Sequence, residues 1–222
     1  MAKPLRLSGR RPWHRINVRR FAEKYGLRKT LEAEPCSREY FKGMKTHDKR
    51  EKFIHAYRVV QILIYHLERS GTIGDLISLE DLDIILAAAF FHDVLEDVSW
   101  TALDDIERSF GEVVSLLVWV LSRDERCFSK EVYFSRIADF ILSAIIKMAD
   151  RLHNLRNMTK NLGRKKFSRR RLKRQIRETW DFIVPMAVKA VEGHPEYKLI
   201  IDELHDELLV ALAEAEYALL KA

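Results

Sequence analysis

From Cys36 through Val184 the chain contains no proline. Through most of this span, apolar residues recur three and four positions apart, which places them on one face of an α-helix. Glycines and short polar segments interrupt the pattern, as helix connections do. The sequence therefore predicts an all-α fold in which amphipathic helices pack around one core.

Capping signals give the helix boundaries. We expect a short helix from Val18 to Gly26 and another from Arg38 to Lys42, which Ser37 would cap after Pro35. Ser78 and Asp81 form a capping-box pattern at the start of a long buried helix. Further helices are predicted over residues 54–67, 79–97, 102–110, 113–121, 129–151, 172–191 and 197–220.

The length of 222 residues suits one domain with a complete core. The first twenty residues hold seven Lys or Arg residues and no acid, and Pro4, Gly9 and Pro12 discourage a helix there. We therefore predict a basic flexible arm over residues 1–20 and a single helical domain over residues 21–222.

The formal net charge of +6 is concentrated in two basic segments, residues 3–20 and 160–177. The second holds ten Lys or Arg residues and no acid. Such segments indicate either contact with a phosphate-rich partner or a solvated surface, and both interpretations stay open.

Two features of the sequence indicate the cellular compartment of the protein. No apolar run approaches the roughly 20 residues that span a bilayer, and no secretory signal follows the basic start. The two cysteines, Cys36 and Cys127, form no CxxC pair. A reducing cytoplasm without disulfides or a thiolate zinc site is the expectation.

An apolar run over residues 84–91 ends in four chemically capable side chains, His92, Asp93, Glu96 and Asp97. Read as a continuous helix, the spacing stacks His92 over Glu96 and Asp93 over Asp97. Burying a carboxylate without a counter-charge costs on the order of several kcal/mol of folding free energy, so a divalent cation is a suitable partner. An ordinary helix end with surface acids is the alternative.

Two distant residues favour the metal interpretation. His55 begins an amphipathic helix, and Asp150 follows the apolar residues 145–149. With His92 and Asp93 they supply two imidazoles and two carboxylates, a ligand set for Mn²⁺, Fe²⁺ or Zn²⁺. Such an ion lowers the pKa of a bound water to about 7, and nearby acids can then move its proton.

The order His55, His92-Asp93, Asp150 resembles the HD-domain metal-dependent phosphohydrolases. Residues 88–98, 106–113 and 147–156 are similar to the hydrolase domain of the RelA/SpoT homologues, which removes the 3′-pyrophosphate of the alarmone (p)ppGpp in a Mn²⁺-dependent reaction. The resemblance covers residues 38–190. No nucleotide-synthesising domain follows in this sequence, so we expect the stand-alone small alarmone hydrolase type.

This resemblance implies an HD-type helical bundle with a buried metal site, where Mn²⁺ is the expected ion and Fe²⁺ or Zn²⁺ are alternatives. Carried over by position, the metal ligands are His55, His92, Asp93 and Asp150, and the catalytic acids are Glu96 and Asp97.

It also implies substrate contacts. The nucleotide-contacting asparagine of the family corresponds to Asn154, four residues after Asp150 and so on the same helical face. Lys147 and Arg151 flank Asp150 and would either meet phosphates or pair with acids.

The sequence departs from the family before the first histidine. Family members usually carry an Arg-Lys pair about ten residues upstream, and this chain has Met44-Lys45-Thr46-His47. Lys45 is the best basic match, and Arg50 is a displaced candidate for the same contact.

The expected activity is hydrolysis of (p)ppGpp to GDP or GTP and pyrophosphate. One alternative is an HD phosphohydrolase for a deoxynucleotide, a nucleoside monophosphate or NADPH. A lesser alternative is a basic module that binds nucleic acid or the ribosome.

Overall fold

Amphipathic helices form most of the chain in the computed structural model, which describes residues 12–46, 50–123, 129–163 and 167–221. The α-helices are α1 (Val18–Tyr25), α2 (Arg28–Tyr40), α3 (Lys52–Ser70), α4 (Leu79–Phe91), α5 (Val94–Asp97), α6 (Ala102–Phe110), α7 (Glu112–Leu121), α8 (Lys130–Ala138), α9 (Ile141–Lys160), α10 (Arg169–Glu178), α11 (Val184–Gly193) and α12 (Lys198–Lys221). Within these ranges only isolated β-bridges occur and no strand forms, so the predicted all-α class is confirmed. No helix in the described part is long and apolar enough to cross a membrane.

The core is built around α4. Every residue from Ile84 to Phe91 is buried, because this helix is apolar on all sides and α2, α3, α7 and α9 pack against it. Fully burying one large apolar side chain contributes about 1.5–3 kcal/mol. The helices α3, α4 and α9 therefore fix one another firmly, and the candidate site residues lie near the start of α3, just after the end of α4 and in the middle of α9.

Two predicted helix ends are confirmed by their caps. The hydroxyl of Ser78 accepts a hydrogen bond from the backbone N–H of Asp81 at 3.0 Å and donates to Oδ2 of Asp81 at 2.8 Å. Gly26 ends α1 with a φ of 69°, a left-handed conformation that glycine adopts without strain.

The expected short helix from Arg38 to Lys42 is wrong, because α2 runs from Arg28 through Pro35 to Tyr40. Proline removes one helical N–H, but the start of this helix is held by a distant residue. The carboxylate of Asp83 on α4 accepts the backbone N–H groups of Lys29 at 2.9 Å and of Thr30 at 2.7 Å. The cap comes from a residue about fifty positions away and leaves no local sequence signal.

Two of the predicted long helices are each divided. The helix expected over residues 79–97 ends at Phe91 and resumes at Val94, and the one expected over residues 129–151 is interrupted at Asp139 and Phe140. In contrast, the helix over residues 172–191 is longer than expected, since α10 joins α11 through a π-helical turn at Thr179–Ile183. The first break matters most, because it lies at His92 and Asp93.

The domain begins earlier than the predicted boundary at residue 21. Pro12–Arg15 form a 3-10 turn whose Trp13 is only 3% exposed, and Val18 is buried as well. The side-chain amide of Gln61 on α3 donates to the carbonyl oxygen of Ile16 at 2.6 Å. Residues 12–20 thus belong to the packed domain, while residues 1–11 of the predicted arm lie outside the described ranges.

We predict that Trp13→Ala lowers the free energy of unfolding by about 3 kcal/mol, because a large buried ring leaves a cavity. Urea denaturation followed by circular dichroism measures the change. The control is Arg19→Ala, an exposed residue paired with Glu23 at 3.1 Å, for which we expect a change below about 1 kcal/mol. Equal midpoints for the two variants would contradict the placement of the turn in the core.

Candidate metal centre and adjoining pocket

The four predicted metal ligands meet at one point. His55 lies on α3, His92 and Asp93 lie between α4 and α5, and Asp150 lies on α9. Nε2 of His55 is 3.1 Å from Oδ1 of Asp150 and 3.5 Å from Oδ2 of Asp93. The Nε2 atoms of the two histidines are 3.2 Å apart. Three helices that are distant in sequence therefore present their donor atoms to a common centre.

A second set of hydrogen bonds orients the two imidazoles. Nδ1 of His92 is 2.8 Å from the carbonyl oxygen of Ala89, to which it donates, so its Nε2 faces Asp93 at 3.3 Å. Nδ1 of His55 is 2.8 Å from Nδ1 of His153 on α9. Such outer hydrogen bonds fix ring orientation at metal sites. His153 was missed by the sequence reasoning, although its position three residues after Asp150 places it on the same helical face.

The geometry fits a divalent cation. One donor atom each from His55, His92 and Asp93 lie within 4.8 Å of one another, and Oδ1 of Asp150 lies 3.8 Å from Nε2 of His92. Ligands about 2.1 Å from an octahedral ion stand about 3 Å apart, close to these separations. Imidazole nitrogen and carboxylate oxygen together suit transition metals. These residues would hold such an ion.

The cluster strongly attracts positive charge. Burial alone would lower the pKa of His92, but Asp93 and Asp150 raise it to about 9. Burial likewise opposes ionisation of Asp93, yet His92 and Lys52 bring the pKa of its carboxyl group well below the ordinary value. Both shifts have one cause, because the aspartates of the cluster favour positive charge on the groups around them.

Lys52 is a second site residue that the sequence reasoning missed. Its Nζ lies 2.7 Å from Oδ2 of Asp93 and 2.6 Å from Oδ2 of Asp97. Asp93 and Asp97 therefore share one counter-charge even though the helix expected to stack them is broken. The only sequence signal was its position three residues before His55, one helical turn away.

Glu96 occupies a different environment from Asp97. Its Oε1 accepts the backbone N–H of Arg123 at 2.7 Å. Desolvation raises the pKa of Glu96 and the charge of Asp93 adds to the shift, while Lys147 and the Arg123 N–H oppose it. A carboxyl group with a raised pKa exchanges protons closer to neutral pH, which suits an acid–base catalyst.

A cavity of about 510 Å³ adjoins the cluster. This volume falls in the range of small-molecule sites. Glu96, Asp97, His55, Asp93 and Asp150 line it, with all five predicted substrate contacts, Lys45, Arg50, Lys147, Arg151 and Asn154. The structure therefore brings every predicted site residue to one pocket or, for His92, to the cluster at its base.

Three of the predicted substrate contacts have a polar partner within the protein. Asn154 donates from Nδ2 to Oδ1 of Asp150 at 2.6 Å, and Nζ of Lys147 is 3.4 Å from Oδ2 of Asp150. Nη2 of Arg50 donates to Oδ1 of Asn157 at 2.9 Å.

Arg151 is only 4% exposed and pairs with Glu178 at 2.5 Å and with Gln175, both on α10. The expected alternative of pairing with an acid is therefore what the structure shows for this arginine. Its guanidinium holds α9 against α10 at the wall of the pocket.

No family model matches the chain. Among curated proteins, it is 28% identical over 144 residues to a GTP pyrophosphokinase of Streptomyces coelicolor, a match that covers 58% of this chain and 16% of the relative. It is 32% identical over 115 residues to a "probable guanosine-3′,5′-bis(diphosphate) 3′-pyrophosphohydrolase" of Synechocystis sp., covering 47% of this chain and 14% of that protein. The chain thus spans only about one sixth of the length of the curated relatives it matches.

A solved structure described as "A metazoan ortholog of SpoT hydrolyzes ppGpp and plays a role in starvation responses" has the same fold. It superimposes with a TM-score of 0.58 at 21% identity, over 79% of this chain and 93% of that one. The two proteins therefore share an all-α fold. These matches confirm the resemblance to the RelA/SpoT homologues that the motifs predicted.

We predict that Asp150→Ala weakens Mn²⁺ binding by at least about tenfold, since it removes a donor that faces both imidazoles. Glu96→Ala should leave the affinity within about threefold, because this carboxylate binds the Arg123 backbone instead of the cluster. Isothermal titration calorimetry measures both. Equal affinities in the two variants would show that Asp150 is not a ligand.

Proposed function

We propose that this protein hydrolyses the 3′-pyrophosphate of (p)ppGpp to give GDP or GTP and pyrophosphate, with a divalent ion, Mn²⁺ in the first place. One observation carries the proposal. A two-histidine, two-aspartate cluster opens directly onto a nucleotide-sized pocket whose wall also presents Glu96 and Asp97. The named hydrolases among its relatives favour this substrate over the other nucleotides considered. The cytoplasmic location stays a prediction.

The chemistry divides between the ion and the chain. When bound, a divalent ion would act as a Lewis acid toward a phosphoryl oxygen and would lower the pKa of a water. His55, His92, Asp93 and Asp150 would hold it at the base of the pocket. Glu96 takes the proton of the attacking water and passes it to the 3′ oxygen as the bond between that oxygen and phosphorus breaks. The water oxygen ends on pyrophosphate, and the ribose regains its 3′ hydroxyl.

Other residues position the reacting groups. Asn154 holds the Oδ1 atom of Asp150 in place, and Asp97 orients the water from its pairing with Lys52. Burial opposes the charge of Lys147, but Tyr133 and Asp150 raise its pKa, so it carries a positive charge. This ammonium would offset the charge that develops on the phosphates.

The rim of the pocket supplies the substrate contacts. Lys45 and Arg50 line the pocket and would meet the phosphates of the nucleotide. Met44, Met158 and Phe167 form an apolar part of the same wall, where a purine base would lie.

Hydrolysis of ppGpp by the purified protein with Mn²⁺ tests the proposal, with GDP and pyrophosphate resolved by ion-exchange chromatography. We expect turnover by the wild type and a kcat lower by about 10²–10⁴ in Glu96→Gln, with little change in KM. A folded, Mn²⁺-binding wild type that leaves ppGpp intact would refute the substrate. Phosphate or pyrophosphate release from a deoxynucleotide, a nucleoside monophosphate or NADPH would then support the alternative enzyme.

The exposed face of α10 favours a second, non-enzymatic function. Leu172 and Ile176 face the core, and Arg171 and Gln175 line the pocket. Arg169 donates from Nη2 to the carbonyl oxygen of Leu219 at 2.7 Å. The remaining exposed positions carry only cations, namely Arg170, Lys173, Arg174 and Arg177. Among the ion pairs of the described residues, none joins these four to an acid. We propose that this face of the basic segment 160–177 binds RNA through its phosphates; residues 164–166 of that segment lie outside the described ranges.

Charge reversal tests this RNA contact. Arg170→Glu/Arg174→Glu should lose most of the retention of RNA at low salt, because neutralised phosphates dominate such binding and make it fall steeply with salt. Lys42→Glu/Lys198→Glu makes the same change in net charge on other exposed surfaces and should retain RNA. Equal losses in both variants, or no RNA retention by the wild type, would remove this function.

A further inference from the structure

Lys52 is the first residue of α3 and lies one helical turn before His55. Its side chain is only 20% exposed, and its ammonium lies between two carboxylates that belong to different parts of the site. Asp93 belongs to the histidine cluster, and Asp97 belongs to the wall of the pocket. Both distances, 2.7 Å and 2.6 Å, are those of short charge-assisted hydrogen bonds.

The two carboxylate oxygens of Asp93 make their shortest contacts with different positive partners. Its Oδ1 faces Nε2 of His92 at 3.3 Å, and its Oδ2 makes its shortest contact, 2.7 Å, with Nζ of Lys52. A carboxylate that reaches a metal with one oxygen and a second cation with the other is the arrangement of bridged two-metal sites, where the ions stand about 3.5–4 Å apart. Here the second cation is a side chain of the protein.

The pairing is not an ordinary surface ion pair. An exposed lysine with one acid contributes little, because water screens the charges and the side chain loses freedom. Lys52 instead meets two acids at once, Asp93 at the start of α5 and Asp97 at its end, and all three residues line the pocket. Removal of its charge would take away the cation that both carboxylates share, and Asp93 would keep only its imidazole partners.

We infer that the ammonium group of Lys52 occupies the position of a second cation and thereby limits the centre to one divalent ion. The inference rests on the metal centre of the proposed function, and it deepens that proposal by assigning the metal stoichiometry to one residue. Asp97 is consequently engaged by lysine and is withheld from metal coordination. Lys52 is a positioning residue in this assignment, since it acts through the two carboxylates.

The test counts Mn²⁺ ions per chain, without any nucleotide. Protein equilibrated with excess Mn²⁺ is passed through gel filtration and analysed by mass spectrometry for metal content, and electron paramagnetic resonance reports coupling between ions. We expect one ion in the wild type and an uncoupled signal. Lys52→Met and Lys52→Ala should take up a second ion and show the spectrum of a coupled pair.

Two variants serve as controls. Lys52→Arg keeps the charge and should stay at one ion. Lys189→Ala removes a lysine that pairs with Asp139 at 2.6 Å on an exposed surface, and it should also stay at one ion. These controls separate the position of the charge from the loss of any lysine.

Two ions in the wild type would overturn the inference even if every variant failed to fold. Folded Lys52→Met and Lys52→Ala proteins that stay at one uncoupled ion would overturn it as well. A wild type that binds no ion would overturn both this inference and the metal centre. A wild type that binds one ion but leaves ppGpp intact would refute only the proposed substrate.

Discussion

The compensation of buried negative charge is the constraint on which the rest of the site depends. Asp93 and Asp150 lie where three apolar helices meet, and a carboxylate in such surroundings is stable only beside positive charge or hydrogen-bond donors. Burial opposes ionisation of Asp150, yet Lys147 and His55 bring its pKa well below the ordinary value. The cluster therefore depends on the lysines and imidazoles around it.

This requirement explains why the fold and the site were predictable to different degrees. The helical class followed from the spacing of apolar residues, because burial on one face is a local property of each helix. Nothing in the spacing of three separate segments shows that His55, His92, Asp93 and Asp150 come together. Their convergence was predictable only from the family resemblance. Lys52 and His153 were missed because each contacts a predicted ligand instead of being one, and such contacts become visible only when the helices are packed.

The boundary errors have the same origin. Local propensity placed a helix start after Pro35, but the N–H groups at the start of α2 bind Asp83 on another helix. Continuous apolar spacing joined residues 79–97 into one helix, whereas the chain turns at Asp93 (φ −105°, ψ 0°). This turn accompanies the contacts of Asp93 with two imidazoles and with Lys52. Tertiary contacts to ionised side chains thus override patterns that are read one helix at a time.

The pairing of Arg151 with Glu178 extends the same principle to the wall of the pocket. Burial would raise the pKa of Glu178, but Arg151 and Lys130 lower it to about 2. This pairing therefore stabilises the fold above the ordinary glutamate pKa and is lost as the pH falls toward 2. Because Glu178 is the last residue of α10, the pair fixes that helix to α9, which carries Asp150. The other sides of α10 present Arg171 to the pocket and a row of cations to solvent. The ion pair thus holds these groups in place relative to the candidate metal centre. A movement of α10 relative to α9 would have to break this ion pair, in which the arginine is buried and the glutamate half-buried, so the pair opposes such a movement.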